Sequence, residues 1–313
     1  DNLARNLVQL DAVVAVADRN AKAANEFASA FNVSAMSVDA LIEHTNIDGI
    51  VIATGAASHD ELALAGLIAG KHLYIEKPLS LSLERAHAIR DAAKSAQKQV
   101  MVGHLIRYHA AFIELQKQLA AGAIGKLCHV QANRLALGRI RTTESVLFDL
   151  CPHDLSLILT LVGEQPARIH CVGASHMTPG VVDFLTSFLG FGNGVSAGMQ
   201  TSWLSPFKEH RLTVTGSAGA LVFDDTKPWP EKLTLFQDQM RLNGEHFLID
   251  RASPVTLPLA EAEPLKDLMQ TFIQSCDDDS PTPTDIDEAI AVQQVLEAMQ
   301  NNLIDTSVKS ETQ

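Results

Sequence analysis

Short apolar runs alternate with amphipathic segments over the first hundred residues, and this pattern limits the possible folds more than any other feature. Helical (h) and strand-like (s) segments follow in the order 2–10 h, 11–17 s, 21–31 h, 33–36 s, 38–45 h, 49–54 s, 61–69 h, 72–75 s, 83–96 h and 99–103 s. Buried strands that alternate with helices are typical of a parallel sheet covered on both faces. The sequence therefore predicts a Rossmann-type, doubly wound parallel sheet in residues 1–103.

The second part of the chain has a different pattern. At 313 residues the chain is too long for one core of ordinary size, so a second domain is expected, spanning 104–313. Helical segments are predicted at 110–121 and 146–161, and strand-like runs, punctuated by glycines, at 127–137, 168–172, 183–189, 195–203, 210–215 and 221–223. They predict a large open, mostly antiparallel sheet with helices on one face. A closing helix is expected at 286–303, where it can pack back on the first domain.

Charge and cysteine content exclude several classes of protein. The formal net charge of −13 would repel the phosphates of DNA or RNA. No apolar run reaches the ~20 residues that a membrane helix needs. The cysteines form no Cys-x-x-Cys pair, which argues against a structural zinc site and favours a reducing, cytoplasmic location; they are Cys128, Cys151, Cys171 and Cys276.

The motif Glu76-Lys77-Pro78 follows the apolar run 72–75. A lysine at the carboxyl end of a buried parallel strand lies where open α/β sheets bind ligands. Next to a cationic nicotinamide, the pKa of such a lysine can fall, so that it can exchange protons with a substrate hydroxyl. The alternative is an ordinary lysine that meets solvent at the end of a strand.

Asp18 closes the run 11–17, where a dinucleotide-binding fold places an acceptor for the adenosine ribose hydroxyls. An acidic residue there favours NAD over NADP, although the neighbouring Arg19 is able to accept a 2′-phosphate. The glycine-rich loop that should precede the first helix is absent, and we expect it, with its strand, upstream of Asp1. The alternatives are an ordinary turn for Asp18 and a lost pyrophosphate site.

Four motifs follow one another along the chain: Thr54-Gly55-Ala56-Ala57-Ser58-His59, Glu76-Lys77-Pro78, Gly103-His104-Leu105-Ile106-Arg107-Tyr108-His109 and Asp149-Leu150-Cys151-Pro152-His153-Asp154. In this order and spacing they resemble the Gfo/Idh/MocA oxidoreductases, a family that includes glucose-fructose oxidoreductase and inositol dehydrogenase. The resemblance covers nearly the whole chain. This chain has Gly55 and Cys151 where the family usually has proline and glycine, so local differences in those loops are expected.

The resemblance implies an NAD-dependent dehydrogenase with Lys77, Asp149 and His153 in its active site. Oxidation of a secondary alcohol needs a base for the hydroxyl proton, and His153 is the best candidate because imidazole has a pKa of ~6.5. Lys77 would hydrogen-bond the same oxygen. Asp149, four residues before His153 on the expected helix, would orient it or bind a neighbouring hydroxyl. The alternative for His153 is a structural histidine.

The same resemblance implies further contacts. The residues expected beside the cofactor are Asp18, Arg19, Thr54, His59, Glu76 and Lys77, and those expected to bind substrate are Arg107, Asn133, Arg139, Arg141, Asp149 and His153. No metal is expected. The sheet of the second domain implies a homodimer or homotetramer.

Three arginines within residues 133–141 form a basic cluster in an acidic protein. Arginine forks suit phosphate or carboxylate groups, so the cluster predicts an anionic substrate; the alternative is a charged strand edge that prevents aggregation. The stretch resembles family members that oxidise the 3-hydroxyl of UDP-N-acetylated sugars. A dehydrogenase of a free sugar or inositol, and a non-catalytic NAD-binding sensor on the same fold, remain as alternatives.

Overall fold

The computed structural model describes residues 2–138 and 140–307. Two compact units are present, one formed by Asp1–Tyr108 with Glu263–Ile290 and the other by His109–Ala262 with Ala291–Gln313. The sequence placed a single boundary after Gly103. In the part of the chain that the structure describes, no helix is long and apolar enough to cross a membrane.

The first unit alternates helices and parallel strands. In chain order these are α1 (Asn2–Gln9), β1 (Ala15–Val16), α2 (Ala21–Phe31), β2 (Ser34–Ala35), α3 (Val38–Glu43), β3 (Gly49–Ile52), α4 (His59–Ile68), β4 (His72–Ile75), α5 (Leu83–Ala96) and β5 (Val100–Val102). Strand β1 pairs with β2, and β3, β4 and β5 form a second sheet in that order. Every pair is parallel.

Strand β4 has an apolar core on each of its two faces. Leu73 and Ile75 pack with residues of α4 and α5. Tyr74 points to the opposite face, where it packs with Met101 and Phe272. Alternate residues of a strand point to opposite faces, so an unbroken apolar run such as 72–75 is what a strand between two layers of helices requires.

The second unit is built on one large sheet. Its first elements are α6 (Ala110–Ala120), β6 (Leu127–Leu137), α7 (Val146–Asp149), α8 (Cys151–Val162), β7 (Pro166–Ala174), β8 (Phe184–Phe191), β9 (Ser196–Ser202), β10 (Leu204–Gly216), β11 (Gly219–Asp224), β12 (Leu233–Phe236), β13 (Gln239–Asn243), β14 (His246–Asp250) and β15 (Val255–Thr256). The chain continues through α9 (Pro264–Asp278) and α10 (Ile286–Asn301) to β16 (Leu303–Asp305). Strands β13 and β14 form a separate hairpin.

The order of the large sheet is β15-β12-β11-β10-β6-β9-β8-β7-β16. Its pairs are antiparallel except β6 with β9 and β7 with β16, which are parallel. Helix α8 packs against β6 and β9, and α6 against β11. The predicted fold class, a doubly wound parallel sheet followed by an open and mostly antiparallel sheet, is confirmed.

One helix predicted from the sequence is in fact two. The expected helix over 146–161 is interrupted at Leu150, so that α7 ends at Asp149 and α8 begins at Cys151. Proline has no N–H and its ring collides with the carbonyl group four residues earlier in a continuous helix, so Pro152 is accommodated only in the first turn of a new one. The prediction that Asp149 and His153 share one helix was therefore wrong.

Helix α9 had no counterpart in the sequence prediction. Its residues Leu268, Met269 and Phe272 are buried in the first unit, on the same face of the sheet as Tyr74. The first turn of α10 belongs to the opposite core, where Ile286 packs with the residues around β4. Segment 263–290 thus supplies part of the covering of both faces.

Candidate active site

The carboxyl ends of three parallel strands lie in one row in the first unit. Ile52 of β3 pairs with Ile75 of β4, and Ile75 pairs with Val102 of β5. The residues that follow these strands therefore leave the sheet at the same edge. This is the edge at which open α/β sheets bind ligands, and it holds Thr54, Glu76 and Lys77.

His59 ties two of these strand ends together. Its ring is 1% exposed, and its nitrogens face two backbone carbonyls, with Nδ1 2.8 Å from Pro78 O and Nε2 3.2 Å from Thr54 O. A ring nitrogen that carries a hydrogen donates it to the carbonyl that it faces. Since both nitrogens face backbone, His59 holds the loop after β3 against the loop after β4.

Thr54 is exposed, and its hydroxyl accepts a hydrogen bond of 2.8 Å from Ser58. A methyl group added to Gly55 would meet no atom within 4 Å. The backbone next to Thr54 therefore faces open space at the carboxyl edge, as the approach of a flat cofactor ring requires.

Asp18 and Arg19 are both exposed and follow β1. The Asp18 carboxylate accepts the backbone N–H of Asn20 through Oδ1 at 2.7 Å, and Asn20 caps the amino terminus of α2. An exposed carboxylate between a parallel strand and a helix start has the chemistry that ribose hydroxyls need. These donors and acceptors fit a dinucleotide in the first unit.

Glu76 is held by two donors. The Tyr74 hydroxyl donates to Oε1 at 3.0 Å, and the backbone N–H of Lys77 donates to Oε2 at 3.3 Å. Burial first, and then the Glu76 carboxylate, raise the pKa of Tyr74, so the phenol stays a donor at neutral pH. Lys77 itself is half-buried, and its bond to Pro78 is cis.

Arg107 lies in a 3-10 turn, Leu105–Tyr108, that follows β5. Its side chain is 10% exposed, and NH1 lies 3.6 Å from the Glu288 carboxylate. Burial lowers the pKa of Arg107, and Glu288 opposes this effect. Glu288 also contacts His104 Nδ1 at 2.7 Å. The role of Arg107 in substrate binding stays a prediction.

Asp149 is fixed by two donors in the second unit. Arg141 donates to Oδ1 at 2.8 Å and the indole N–H of Trp203 donates to Oδ2 at 3.1 Å. The bond to Asp149 raises the pKa of Arg141. Asp149 is 9% exposed, so both of its oxygens are engaged in a largely buried position. Trp203 had no signal in the sequence, because the donor comes from the end of a distant strand.

His153 lies in the first turn of α8 and is half-buried. Next to it, Asp154 accepts two hydrogen bonds from Arg134, at 3.0 Å from Nε and 2.6 Å from NH2. This buried, bidentate pair anchors the start of the helix to β6.

The basic cluster is largely paired with carboxylates. Arg134 is engaged by Asp154, and Arg141 contacts both Asp149 and Glu144. Arg139 lies outside the described residues. Asn133 on β6 donates to Glu209 at 2.8 Å. Sequence reasoning recognised the arginines but not their partners, which are adjacent to them only in the folded chain.

No group of three or more His, Cys, Asp or Glu side chains that would suit a metal ion occurs within 2–138 and 140–307. The four cysteines are free thiols.

Asp154→Asn should lower the free energy of unfolding by about 3–5 kcal/mol, because it leaves the Arg134 charge buried without its partner. Urea denaturation followed by tryptophan fluorescence measures this change. Asp250→Asn is the matched control, since Asp250 pairs with Arg241 at the surface, and it should cost no more than about 1 kcal/mol. Equal costs for the two variants would contradict the role given to the buried pair.

Comparisons with known proteins agree with this architecture. Residues 2–104 match the model of an oxidoreductase family with an NAD-binding Rossmann fold, and residues 112–222 match the GFO/IDH/MocA C-terminal domain. The solved structure of UDP-N-acetylglucosamine 3-dehydrogenase from Acidithiobacillus ferrooxidans superposes with a TM-score of 0.83 at 25% identity, over 96% of this chain and 93% of that one.

In sequence, UDP-N-acetylglucosamine 3-dehydrogenase of Acidithiobacillus ferrooxidans is 32% identical over 201 residues, which span 64% of this chain and 62% of that protein. Inositol 2-dehydrogenase of Rhizobium meliloti is 26% identical over 227 residues, 69% of each chain. The predictions of an NAD-binding fold and of an oxidoreductase are confirmed. The two family models together cover more than half of the sequence, and the chain belongs to the GFO/IDH/MocA family of oxidoreductases.

Proposed function

We propose that the chain is an NAD-dependent dehydrogenase that removes hydride from a secondary hydroxyl of a sugar. The observation that supports this most is the setting of Asp149 and His153: a carboxylate fixed by Arg141 and Trp203, beside a histidine at a helix start. An imidazole is the side chain best suited to accept a proton near neutral pH. NAD, when bound, supplies the acceptor for the hydride.

Each residue has a separate role in the proposal. His153 accepts the hydroxyl proton, since an imidazole is the side chain that exchanges protons most readily near neutral pH. Lys77 donates a hydrogen bond to the oxygen as negative charge develops on it. Asp149 binds a neighbouring hydroxyl of the sugar, because the donors on its two oxygens hold the carboxylate ionised and in place.

The cofactor-binding role belongs to the first unit. Asp18 accepts hydrogen bonds from the adenosine ribose, with Arg19 beside it. Thr54 and Glu76 contribute polar groups at the carboxyl edge, and His59 holds the two loops that carry them. The exposed carboxylate of Asp18 disfavours the extra phosphate of NADP, although Arg19 next to it is able to accept that phosphate.

For the substrate we propose the 3-hydroxyl of a UDP-N-acetylated sugar. The support is the relative of 32% identity, which is a UDP-N-acetylglucosamine 3-dehydrogenase, together with the position of Arg141. Its guanidinium is 38% exposed while bound to Asp149. The exposed part of this guanidinium, which also contacts Glu144, can therefore donate to a diphosphate while it holds the Asp149 carboxylate.

A second candidate is a dehydrogenase of a free sugar or inositol. The bidentate bond between Arg134 and Asp154 favours it, because that arginine is buried and its charge is neutralised by the carboxylate, so it is not open to a phosphate. Relatives named inositol dehydrogenases also match over about two thirds of the chain. The substrate assay below separates the two candidates.

The full chain, incubated with NAD and a panel of UDP-sugars, hexoses and inositols, should convert one compound to a product two hydrogens lighter, detected by mass spectrometry. His153→Ala and Lys77→Met should lower kcat by at least 100-fold because each removes a group that handles the reacting oxygen. His246→Ala on β14 is the control, since this exposed histidine lies in the separate hairpin, outside the proposed site and outside the large sheet. Full turnover in His153→Ala would contradict the mechanism, and NAD binding without oxidation of any compound would favour the sensor.

Arg141→Gln should raise KM for a UDP-sugar at least tenfold more than KM for a neutral polyol, since both compounds use the Asp149 carboxylate that Arg141 holds but only the diphosphate uses the guanidinium charge. Steady-state kinetics with both compounds measures the difference. Arg241→Gln is the control, because Arg241 is exposed on β13 in the separate hairpin. An equal rise in KM for both compounds would argue against an anionic substrate.

We also propose that the chain forms a homodimer or homotetramer through the large sheet. The face of the sheet opposite to α8 bears apolar side chains in water: Val172 is 46% exposed and Phe188 is 49% exposed, whereas Leu185 and Leu189 on the helix-covered face are buried. An exposed apolar sheet face of this kind is typical of an interaction surface.

Sedimentation velocity should therefore give a particle of two or four times 33.8 kDa, and Phe188→Glu should shift the protein to smaller species, because it places a charge in the apolar surface. Thr186→Glu, on the same face, should act in the same direction, whereas Lys22→Glu in the first unit should have no effect. A single species of 33.8 kDa at micromolar concentration would contradict the proposal.

A further inference from the structure

Tyr74 lies in a buried strand, and its hydroxyl group makes a hydrogen bond beyond the end of that strand. Tyr74 lies within β4 and is 1% exposed. Its ring packs edge-on against Phe272 with centroids 6.0 Å apart. Its hydroxyl donates to Oε1 of Glu76, two residues along on the same side of the strand, at 3.0 Å. The tyrosine thus reaches out of a core to the carboxyl edge of the sheet.

Glu76 passes this contact on to the backbone. Its other oxygen, Oε2, accepts the backbone N–H of Lys77 at 3.3 Å. Pro78 has no N–H, so the Lys77 amide is the last backbone donor before the chain turns. The bond is long, so a small rotation of the carboxylate is enough to break it.

The neighbouring strand leaves space for this arrangement. A Cβ on Gly103 would lie 2.6 Å from the Tyr74 hydroxyl oxygen and 2.9 Å from Glu76 Oε2. Gly103 also donates its N–H to Ile75 O at 2.9 Å. Because residue 103 is glycine, its backbone can pair with Ile75, the last residue of β4, while the phenol and the carboxylate meet beside it.

We propose that Tyr74 is a positioning residue for the proposed dehydrogenase, on which this inference rests: its hydroxyl holds the Glu76 carboxylate, and the carboxylate fixes the backbone from which Lys77 extends. Tyr74 is buried and does not contact the substrate itself. It acts on Lys77 through Glu76. Because a donor on Oε1 leaves Oε2 turned toward the Lys77 amide, the carboxylate keeps one orientation.

A purely structural role for Tyr74 gives a different expectation. Tyr108 is also a buried tyrosine of the same core, with its hydroxyl 3.2 Å from Thr284 Oγ1. Removing either hydroxyl takes one hydrogen bond from its polar partner and should lower stability by a similar amount. Only the loss of the Tyr74 hydroxyl should reach Lys77.

Tyr74→Phe and Tyr108→Phe in the full chain test this. With lysines labelled with ¹⁵N, the backbone amide proton of Lys77, assigned by its absence in Lys77→Met, should shift upfield by a few tenths of a ppm in Tyr74→Phe because its hydrogen bond is lost. It should stay in place in Tyr108→Phe. An unchanged Lys77 amide in Tyr74→Phe, or an equal shift in both variants, would overturn the proposal.

The kinetic readout uses UDP-N-acetylglucosamine with NAD. Tyr74→Phe should lower kcat about tenfold with KM within about twofold, since the substrate still binds but Lys77 is less well placed; Glu76→Gln, which retains one acceptor oxygen, should have a smaller effect. Full kcat in Tyr74→Phe with an inactive Lys77→Met would overturn this inference alone. Full kcat in Lys77→Met would instead overturn the proposed mechanism, and the amide shift would still decide the role of Tyr74.

Discussion

The parallel register of β3, β4 and β5 is the constraint on which the first unit depends. It sets Ile52, Ile75 and Val102 in one row, so that groups far apart in sequence emerge at one edge of the sheet. A shift of one residue in this register would turn Tyr74 from one core to the other and Leu73 the opposite way. The apolar cores on both faces therefore fix the position of Glu76 and Lys77 as firmly as the backbone hydrogen bonds do.

The second unit depends on how its charges are neutralised. Arg134 of β6 is placed opposite His210 of β10 and forms a bidentate pair with Asp154. Burial first, and then the Arg134 charge, lower the pKa of His210 to about 4. With His210 neutral, Asp154 is the ion-pair partner of Arg134, and this pair in turn holds the start of α8. The position of His153 thus depends on the ion pair that the next residue, Asp154, forms with Arg134.

The sequence predicted regular elements well where local and tertiary preferences agree. The strand 72–75 and the helix 83–96 were predicted to the residue. The strand is an apolar run between turn signals, a sequence pattern that fits few other structures. The prediction of one helix over 146–161 was wrong because it gave the apolar pattern more weight than Pro152. Helix α9 was missed although its apolar residues recur at helical spacing from Leu265 to Ile273. Its contacts with Tyr74 and Leu7 are remote in sequence and were not predicted.

The sequence by itself determined the fold class, the family and the residues worth testing, because apolar periodicity and the spacing of Glu76-Lys77-Pro78 and Asp149 to Asp154 are local properties of the chain. Only the tertiary structure decided the partner of each polar group: Trp203 on Asp149, Asp154 on Arg134, and Tyr74 on Glu76. A buried donor or acceptor must be satisfied by whatever the packed chain brings within about 3 Å. That choice depends on strand register and helix packing, which one-dimensional patterns do not encode.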